Sequence, residues 1–413
     1  MRSIAGILIL LFICYLISEN KKAINYKELI CGFVLQFVVA ILLLKVSIIQ
    51  EGLCSFTHVI NGIKSATEEG TKFVFGYLGG GNSTPFDISA HNNLFIFAFQ
   101  ALPMIMVFSA ISMLLFHWNV LPKIINITTK VVNKFSNIGG ILSVIASSKI
   151  MLGQTEAPLL IKPYLNKISR SELFSVISCG LATTSGAAML LYSALLDKVI
   201  PNVLSHIVIL TVLSIITSIL IARIVIPQVE KSSDGELITP YKFSGSIDAI
   251  TRGTSDGLGM VLNIGAMVIV AIALISIVNQ MLTCLPNING APITIQRILG
   301  IFFTPIAYII GIPYEEVFKA GELLSLKVVV NEVVAFIELA NSANQLSPKS
   351  MIIMLYAICN FANISSIGIN ISSYSVLVPE RRDEIIGLCG KALIVGTLAT
   401  CISGAVIGTI LSF

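Results

Sequence analysis

The sequence predicts an all-α polytopic membrane protein: eight transmembrane helices plus two re-entrant hairpins and interfacial helices, arranged as an inverted-topology repeat. Three observations lead there. The 413 residues are 55% hydrophobic and 12% charged, against about 25% charged in soluble proteins, and the mean hydropathy is +0.91. Long apolar runs alternate with short loops that hold most of the lysines and arginines, the pattern that sets orientation in a membrane. Two stretches, 147–164 and 315–339, break the apolar rule with clusters of charged and amide side chains, which are costly against lipid.

In chain order, residues 4–17 form helix one and 29–49 helix two. The loop between them carries Lys21, Lys22 and Lys27. The positive-inside rule places it in the cytoplasm and the N-terminus outside. The first apolar run is expected to stay as a helix rather than be cleaved as a signal peptide. Arg2 is its only basic residue, it shows no small-residue cleavage site, and another apolar span follows at once. Residues 52–92, with a Gly-rich break at 79–82, suit an amphipathic interfacial helix and then an external loop. Residues 93–116 form helix three. In 117–137, Lys123, Lys130 and Lys134 interleave with Val, Ile and Leu, as on a helix lying on the cytoplasmic surface.

Residues 147–164 follow. Lys149, Gln154, Thr155 and Glu156 fall within eight positions, with Gly153 before the cluster's core and Pro158 after it. A charge at the bilayer centre costs about 2.5–3.5 kcal/mol. The apolar arms, 141–146 and 159–161, are too short to cross about 30 Å of hydrocarbon. A hairpin with both ends in the cytoplasm is expected, and Lys162, Lys167 and Arg170 on its exit agree. Irregular backbone at membrane depth belongs where it is buried in protein or lines a cavity. The stretch therefore reads as half of a solute site.

Helix four spans 172–196, interrupted by the polar run 182–186, and helix five spans 207–226. Residues 228–252, with Lys231, Lys242 and Arg252, form the longest hydrophilic segment and are expected in the cytoplasm. Helix six is 257–281, and 284–297 is an external loop. Residues 298–312 contain Pro305 and Gly311 and are placed on or partly in the outer leaflet. The second hairpin, 315–339, holds Glu322, Lys327, Asn331, Glu332 and Glu338 and enters from outside. Helix seven, 350–378, has a polar interruption at 360–366. Arg381 and Arg382 mark a cytoplasmic loop, and 385–411 is helix eight, with both termini outside the cytoplasm.

The order hairpin, polar-broken helix, helix thus occurs twice, beginning on opposite sides of the membrane. Inverted repeats of this kind place substrate near the midplane. The division follows: 1–140, N-terminal scaffold helices and interfacial helix; 141–226, the first transport repeat; 227–314, cytoplasmic loop, helix six and outer interfacial segment; 315–413, the second transport repeat.

The net charge of +4 is modest and its basic residues lie in loops, which gives no support for nucleic-acid binding. The 8 cysteines are scattered without a CxxC, so neither a disulfide framework nor a zinc site is expected. His58, His91, His117 and His206 sit near predicted helix ends. No metal motif, Walker loop or nucleophile elbow is present.

Four polar patches, 154–156, 183–185, 331–332 and 360–366, are expected to converge. Amides donate and accept together, and carboxylates accept from hydroxyls or ring N–H groups. Such a set suits a neutral polyhydroxylated or heteroaromatic solute, with Phe361 as a stacking face. Competing readings stay open at this point. Thr183, Thr184 and Ser365 also suit helix packing, Glu156 and Glu332 a structural ion pair, and Phe361 plain core. A membrane-embedded enzyme using Glu156 and Glu332, or a channel, are the other function classes.

The runs GQTEAPLLIKPY (153–164), NEVVAF (331–336) and FANISSIGI (361–369) resemble the concentrative nucleoside transporter family in its bacterial short form. The resemblance covers most of the chain from Asn93 onward. It implies a homotrimer in the lipid bilayer of the bacterial inner membrane. Each subunit would have a scaffold part and a mobile part, and would import nucleosides down a cation gradient by an elevator-like movement, without cofactor or enzymatic step. Carried over by motif, Gln154, Thr155 and Glu156 would address the nucleobase, partly through water. Glu332, Asn363 and Ser366 would hold the ribose hydroxyls, and Phe361 would pack near the ligand. Ala188 falls where the family has a small residue near the base, and its small side chain would widen base tolerance.

One departure stands out. Sodium-coupled members place an Asn where this chain has Lys149. With the groups around Thr183 and Thr184 and the backbone near Leu152, that Asn helps make a sodium site. An ammonium offers three donors and no acceptor, so Lys149 is expected to replace the ion as a tethered cation. The coupling ion is then expected to be H+, carried by Glu156, Glu332 or Lys149. The alternative is Na+ coupling, with Lys149 snorkelling to the cytoplasmic surface.

Overall fold

The computed structural model describes residues 2–411 apart from 82–94, 137, Thr155, 231, 234, 236, 238–241 and 287–291, and gives only the backbone of 56, 134–136 and 271. The described residues are overwhelmingly helical and contain no strand.

The N-terminal part contains α1 (Arg2–Leu16), α2 (Tyr26–Lys45), the amphipathic α3 (Ser47–Phe75), α4 (Pro103–His117) and α5 (Val120–Ser136). Asn25 caps α2 by accepting from the Glu28 amide at 3.2 Å. Pro103 opens α4 at the first helical position, where a missing N–H costs nothing. The helix expected at 117–137 is α5, which buries Leu121 and Ile125 and exposes Ile124 and Ile127. Most of the external loop expected before helix three lies outside the described residues.

The first polar hairpin is α6 (Gly140–Ser148), an irregular tip and a 3-10 run, Ala157–Tyr164. Pro158 and Pro163 account for that second arm, since neither can donate to an α-helical ladder. Next come α7 (Arg170–Ala182), α8 (Gly186–Leu196) and α9 (Val203–Val225). Ser169 and Glu172 form a capping box at the start of α7. The polar run 182–186 breaks the expected helix four into α7 and α8.

Helix α10 (Ser246–Leu282) starts at Ser246 rather than at residue 257. Asp248 accepts from the Ser244 amide and pairs with Arg252, each at 2.9 Å, so the hydrophilic stretch continues as exposed helix. Helix α11 (Ile295–Ile310) ends at Gly311, whose φ of +117° favours glycine. The second hairpin is α12 (Val317–Val329) and α13 (Glu332–Asn341), with its break at Val330–Asn331. The chain closes with α14 (Pro348–Ile358), α15 (Ile364–Leu377) and α16 (Arg382–Ile410).

Among the described residues, six helical stretches are long and apolar enough to cross a membrane: Tyr26–Lys45, Phe97–His117, Arg170–Leu196, Val203–Val225, Ser246–Leu282 and Pro379–Ile410. The other two expected spans consist of shorter apolar helices, α1 and the pair α14–α15. The chain is a polytopic membrane protein.

The core is built on α7, α9, α14 and α16, whose side chains are largely buried. Gly396 lets α16 approach both breaks, because a Cβ there would lie 3.0 Å from those of Leu181 and Ala362. Small residues at such crossings let membrane helices pack closely. On the periphery, α10 lies along α4, where a Cβ at Gly257 would come 2.6 Å from the Met106 backbone. The outer faces of α2 and α10 expose Ile30, Val34, Leu262 and Ile269, as lipid-facing helices do.

Candidate functional site

Three helix N-termini meet at the site, and each is capped by a polar side chain. Ser185 accepts from the Ala188 amide at 3.2 Å, Asn331 from the Val334 amide at 2.9 Å, and Asn363 from the Ser366 amide at 2.8 Å. They start α8, α13 and α15, the three helices that follow a chain break. Helix N-termini carry unpaired N–H groups and partial positive charge, so their shared mouth favours ligand oxygens. All three caps line one cavity of about 700 Å³, with Gln154, Ala188, Glu332, Phe361 and Ser366 among its other walls. That volume lies within the ~300–1,000 Å³ range of small-molecule sites. A groove of similar size between α1 and α2 is lined almost entirely by hydrocarbon and offers little to a polar solute.

A hydrogen-bond network runs from one hairpin to the other. Glu332 opens α13 and is buried. Its Oε1 accepts from the Tyr192 hydroxyl at 3.0 Å and its Oε2 from Asn363 Nδ2 at 2.8 Å. Asn363 Oδ1 also accepts from the Ser365 hydroxyl at 2.6 Å. Along α15, Asn370 Nδ2 donates to the Ser366 carbonyl at 2.8 Å and to Gln154 Oε1 at 3.2 Å. Tyr192 is held against Phe336, with ring centroids 4.5 Å apart.

The tip of the first hairpin is closed by its own charges. Lys149 is fully buried, and its ammonium donates to the Gly153 carbonyl at 3.0 Å. The amide of Gly153 donates to Glu156 Oε2 at 3.1 Å. The ammonium lies against α7, 3.4 Å from where a Cβ on Gly180 would sit. Thr183 ends that helix. Its hydroxyl donates to the Cys179 carbonyl at 2.8 Å, and its carbonyl accepts from the Phe361 amide at 3.3 Å, tying the two broken helices together. Leu152 and Thr184 are buried beside them. Lys149 does not reach the surface.

Gln154, Ala188, Glu332, Phe361, Asn363 and Ser366 thus come together around one cavity. Glu156 lies in a small adjoining recess with Leu152 and Ser185, and Thr155 falls outside the described residues. Sequence reasoning missed Tyr192 and Asn370, and left Lys327 without a role. Lys327 is the second hairpin's own buried ammonium, 3.4 Å from Thr397 Oγ1. The available signals were spacings. Asn370 is two helical turns beyond Asn363, and Lys327 precedes Glu332 much as Lys149 precedes Glu156.

Family models agree with this geometry. The one described as "Na+ dependent nucleoside transporter C-terminus" matches residues 206–408, its N-terminal counterpart 5–78, and "Nucleoside recognition" 98–198. The nucleoside permease NupC of Helicobacter pylori is 32% identical over 98% of this chain and 96% of its own. The chain belongs to the concentrative nucleoside transporter family. The putative nucleoside permease NupX of Escherichia coli is 30% identical over 99% of this chain and 98% of its own. The structure of CNTnw in an inward-facing substrate-bound state superposes with a TM-score of 0.89 at 29% identity, covering 98% of each chain. As a concentrative nucleoside transporter, the protein is a transport protein and not an enzyme.

The family description names sodium, and the first tip is where the resemblance would put it. Sodium requires oxygen acceptors. Here a buried ammonium already donates to the tip carbonyl of Gly153 and has no lone pair to offer. These residues do not fit a sodium ion at this position.

Proposed function

We propose that the chain is a proton-coupled nucleoside importer of the bacterial inner membrane, working as a homotrimer by elevator-type alternating access. The observation that carries the nucleoside reading is the network from Gln154 through Asn370, Ser366 and Asn363 to Glu332 and Tyr192. All of its members except the buried Asn370 line one cavity, with acceptors and donors from both hairpins. Glu332, Asn363 and Ser366 hold the ribose hydroxyls, since a carboxylate and capped helix N-termini together serve both ends of an O–H group. Gln154 and Thr155 address the base, Glu156 reaches it through water, Phe361 packs on the ligand and Ala188 leaves room beside it.

The two hairpins are re-entrant and inverted relative to each other, and both termini face outward. Residues 141–226 and 315–413 are the two transport repeats, carried against a scaffold made of 1–140 and 227–314. Lys149 replaces the sodium ion as a tethered cation. The transported proton rides on Lys149 or Glu332, both buried, or on the partly buried Glu156, at the two tips. The runner-up is a sodium symporter, which the family's description favours.

Counterflow of labelled uridine in a transport-deficient host tests the reading. Saturable uptake, accelerated by unlabelled uridine on the far side, is expected. Non-saturable flux without counterflow would indicate a channel and refute it.

A further inference from the structure

We propose that Asn370 fixes the amide of Gln154 so that its Nε2 hydrogens face the cavity, which makes this wall a reader of hydrogen-bond acceptors on the nucleobase. The proposal rests on the nucleoside reading and adds which atom does the reading.

Asn370 is fully buried on α15. Its Nδ2 lies 2.8 Å from the Ser366 carbonyl oxygen. A backbone carbonyl only accepts, so the NH2 end of Asn370 must face it. Amide orientations are assigned from such partners. The second hydrogen of that NH2 points at Gln154, 3.2 Å away, so Gln154 must present its oxygen there. The opposite rotamer would set two NH2 groups against each other. Gln154 Nε2 has no protein partner among the described residues, and Gln154 lines the cavity. Asn370 Oδ1 is itself buried and unpartnered. Only the donor end of Asn370 is used, and it is used to hold Ser366 and Gln154 in register.

A base placed against Gln154 therefore meets a donor. Carbonyl oxygens of pyrimidines and ring nitrogens of purines satisfy it. A base with hydrogen at that position leaves a buried donor unpaired, which raises KM by roughly 10-fold or more.

The test is competition against labelled uridine uptake by the full-length protein. The competitors are uridine analogues lacking the 2- or the 4-oxygen, and 3-methyluridine, which lacks the ring N–H donor. Wild type is expected to penalise one oxygen deletion by roughly 10-fold. Gln154→Met should abolish that penalty and leave the 3-methyluridine ratio as it was. Asn370→Ala should shrink the same penalty by freeing the amide to rotate, raising KM for uridine more than it lowers the maximal rate. A merely structural role for Asn370 would not change the ratio between analogues. The proposal is overturned if Gln154→Met alters the 3-methyluridine ratio instead, or if Asn370→Ala keeps the wild-type penalty. Should Asn370→Ala fail to reach the membrane, the Gln154→Met outcome decides. Absence of uridine uptake by wild type would overturn the nucleoside reading and this assignment with it. Uptake with unchanged ratios overturns the assignment alone.

Discussion

Asn363 Nδ2 donates to Glu332 Oε2 at 2.8 Å, and this bond joins the cap of α15 to the first residue of α13. Each residue serves two masters. Asn363 Oδ1 holds the start of its own helix, and Glu332 Oε1 takes the Tyr192 hydroxyl. The second hairpin is thereby linked at the cavity wall to both broken helices, through α15 and α8.

Replacing that donor exposes the cost. Asn363→Ala leaves a buried carboxylate one bond short and removes the cap of α15. A hydrogen bond to a charged group contributes about 1.5–3 kcal/mol, so initial uridine uptake at low concentration should fall roughly 10- to 150-fold. Discrimination between uridine and 2′-deoxyuridine should narrow at the same time. Uptake kinetics for the two nucleosides check both effects.

Tyr192→Phe is a milder probe. The ring keeps its contact with Phe336, and only the donor to Glu332 is lost. A KM increase of roughly 5- to 30-fold is expected, corresponding to about 1–2 kcal/mol, with the amount of folded protein unchanged by size-exclusion chromatography. An unaltered KM would place Glu332 outside the binding step.

Lys149→Asn exchanges the tip's ammonium for a side chain that has an acceptor oxygen. Uptake by this variant should become dependent on external sodium, whereas Lys149→Met should lose transport without gaining sodium dependence. Rates measured with sodium replaced by choline distinguish these outcomes.

At the cytoplasmic loop expected after α1, Glu19 takes Arg170 Nη2 at 3.0 Å and Lys391 Nζ at 2.8 Å, linking that loop to α7 and α16. The hydrogen bond from Arg170, ahead of that from Lys391, holds the Glu19 carboxyl below its ordinary value of 4.5. A depressed acid pKa stabilises the fold above that ordinary value, and the contribution disappears as pH falls through the depressed one. Both partners are partly exposed, with solvent screening, so the effect is below about 1 kcal/mol. The Tm of Glu19→Gln should lie slightly under that of wild type at pH 7, and the gap should close on acidification.

The helix breaks were legible because polarity is conspicuous in hydrocarbon. Ser185, Asn331 and Asn363 lie in polar patches visible in the sequence, and each caps a helix after a break. Tyr192 and Asn370 were not legible, because their partners lie 140 and 216 residues away in the chain. Neither residue breaks a local pattern, since a tyrosine and an asparagine on helices are ordinary until the fold brings a carboxylate or an amide to them. Lys327 was visible as a charge, but the neighbour that accepts its ammonium, Thr397, is 70 residues downstream on α16. The early start of α10 was hidden for the opposite reason. Asp248 and Arg252 look like loop residues until their one-turn spacing is read as a helical ion pair.

The most direct measurement is uridine accumulation in proteoliposomes with the proton and sodium gradients imposed separately at zero potential. Accumulation above equilibrium under an inward proton gradient, with no response to a sodium gradient at fixed pH, is the predicted result. Accumulation driven by sodium alone would contradict the account, because it would require an ion where Lys149 is buried.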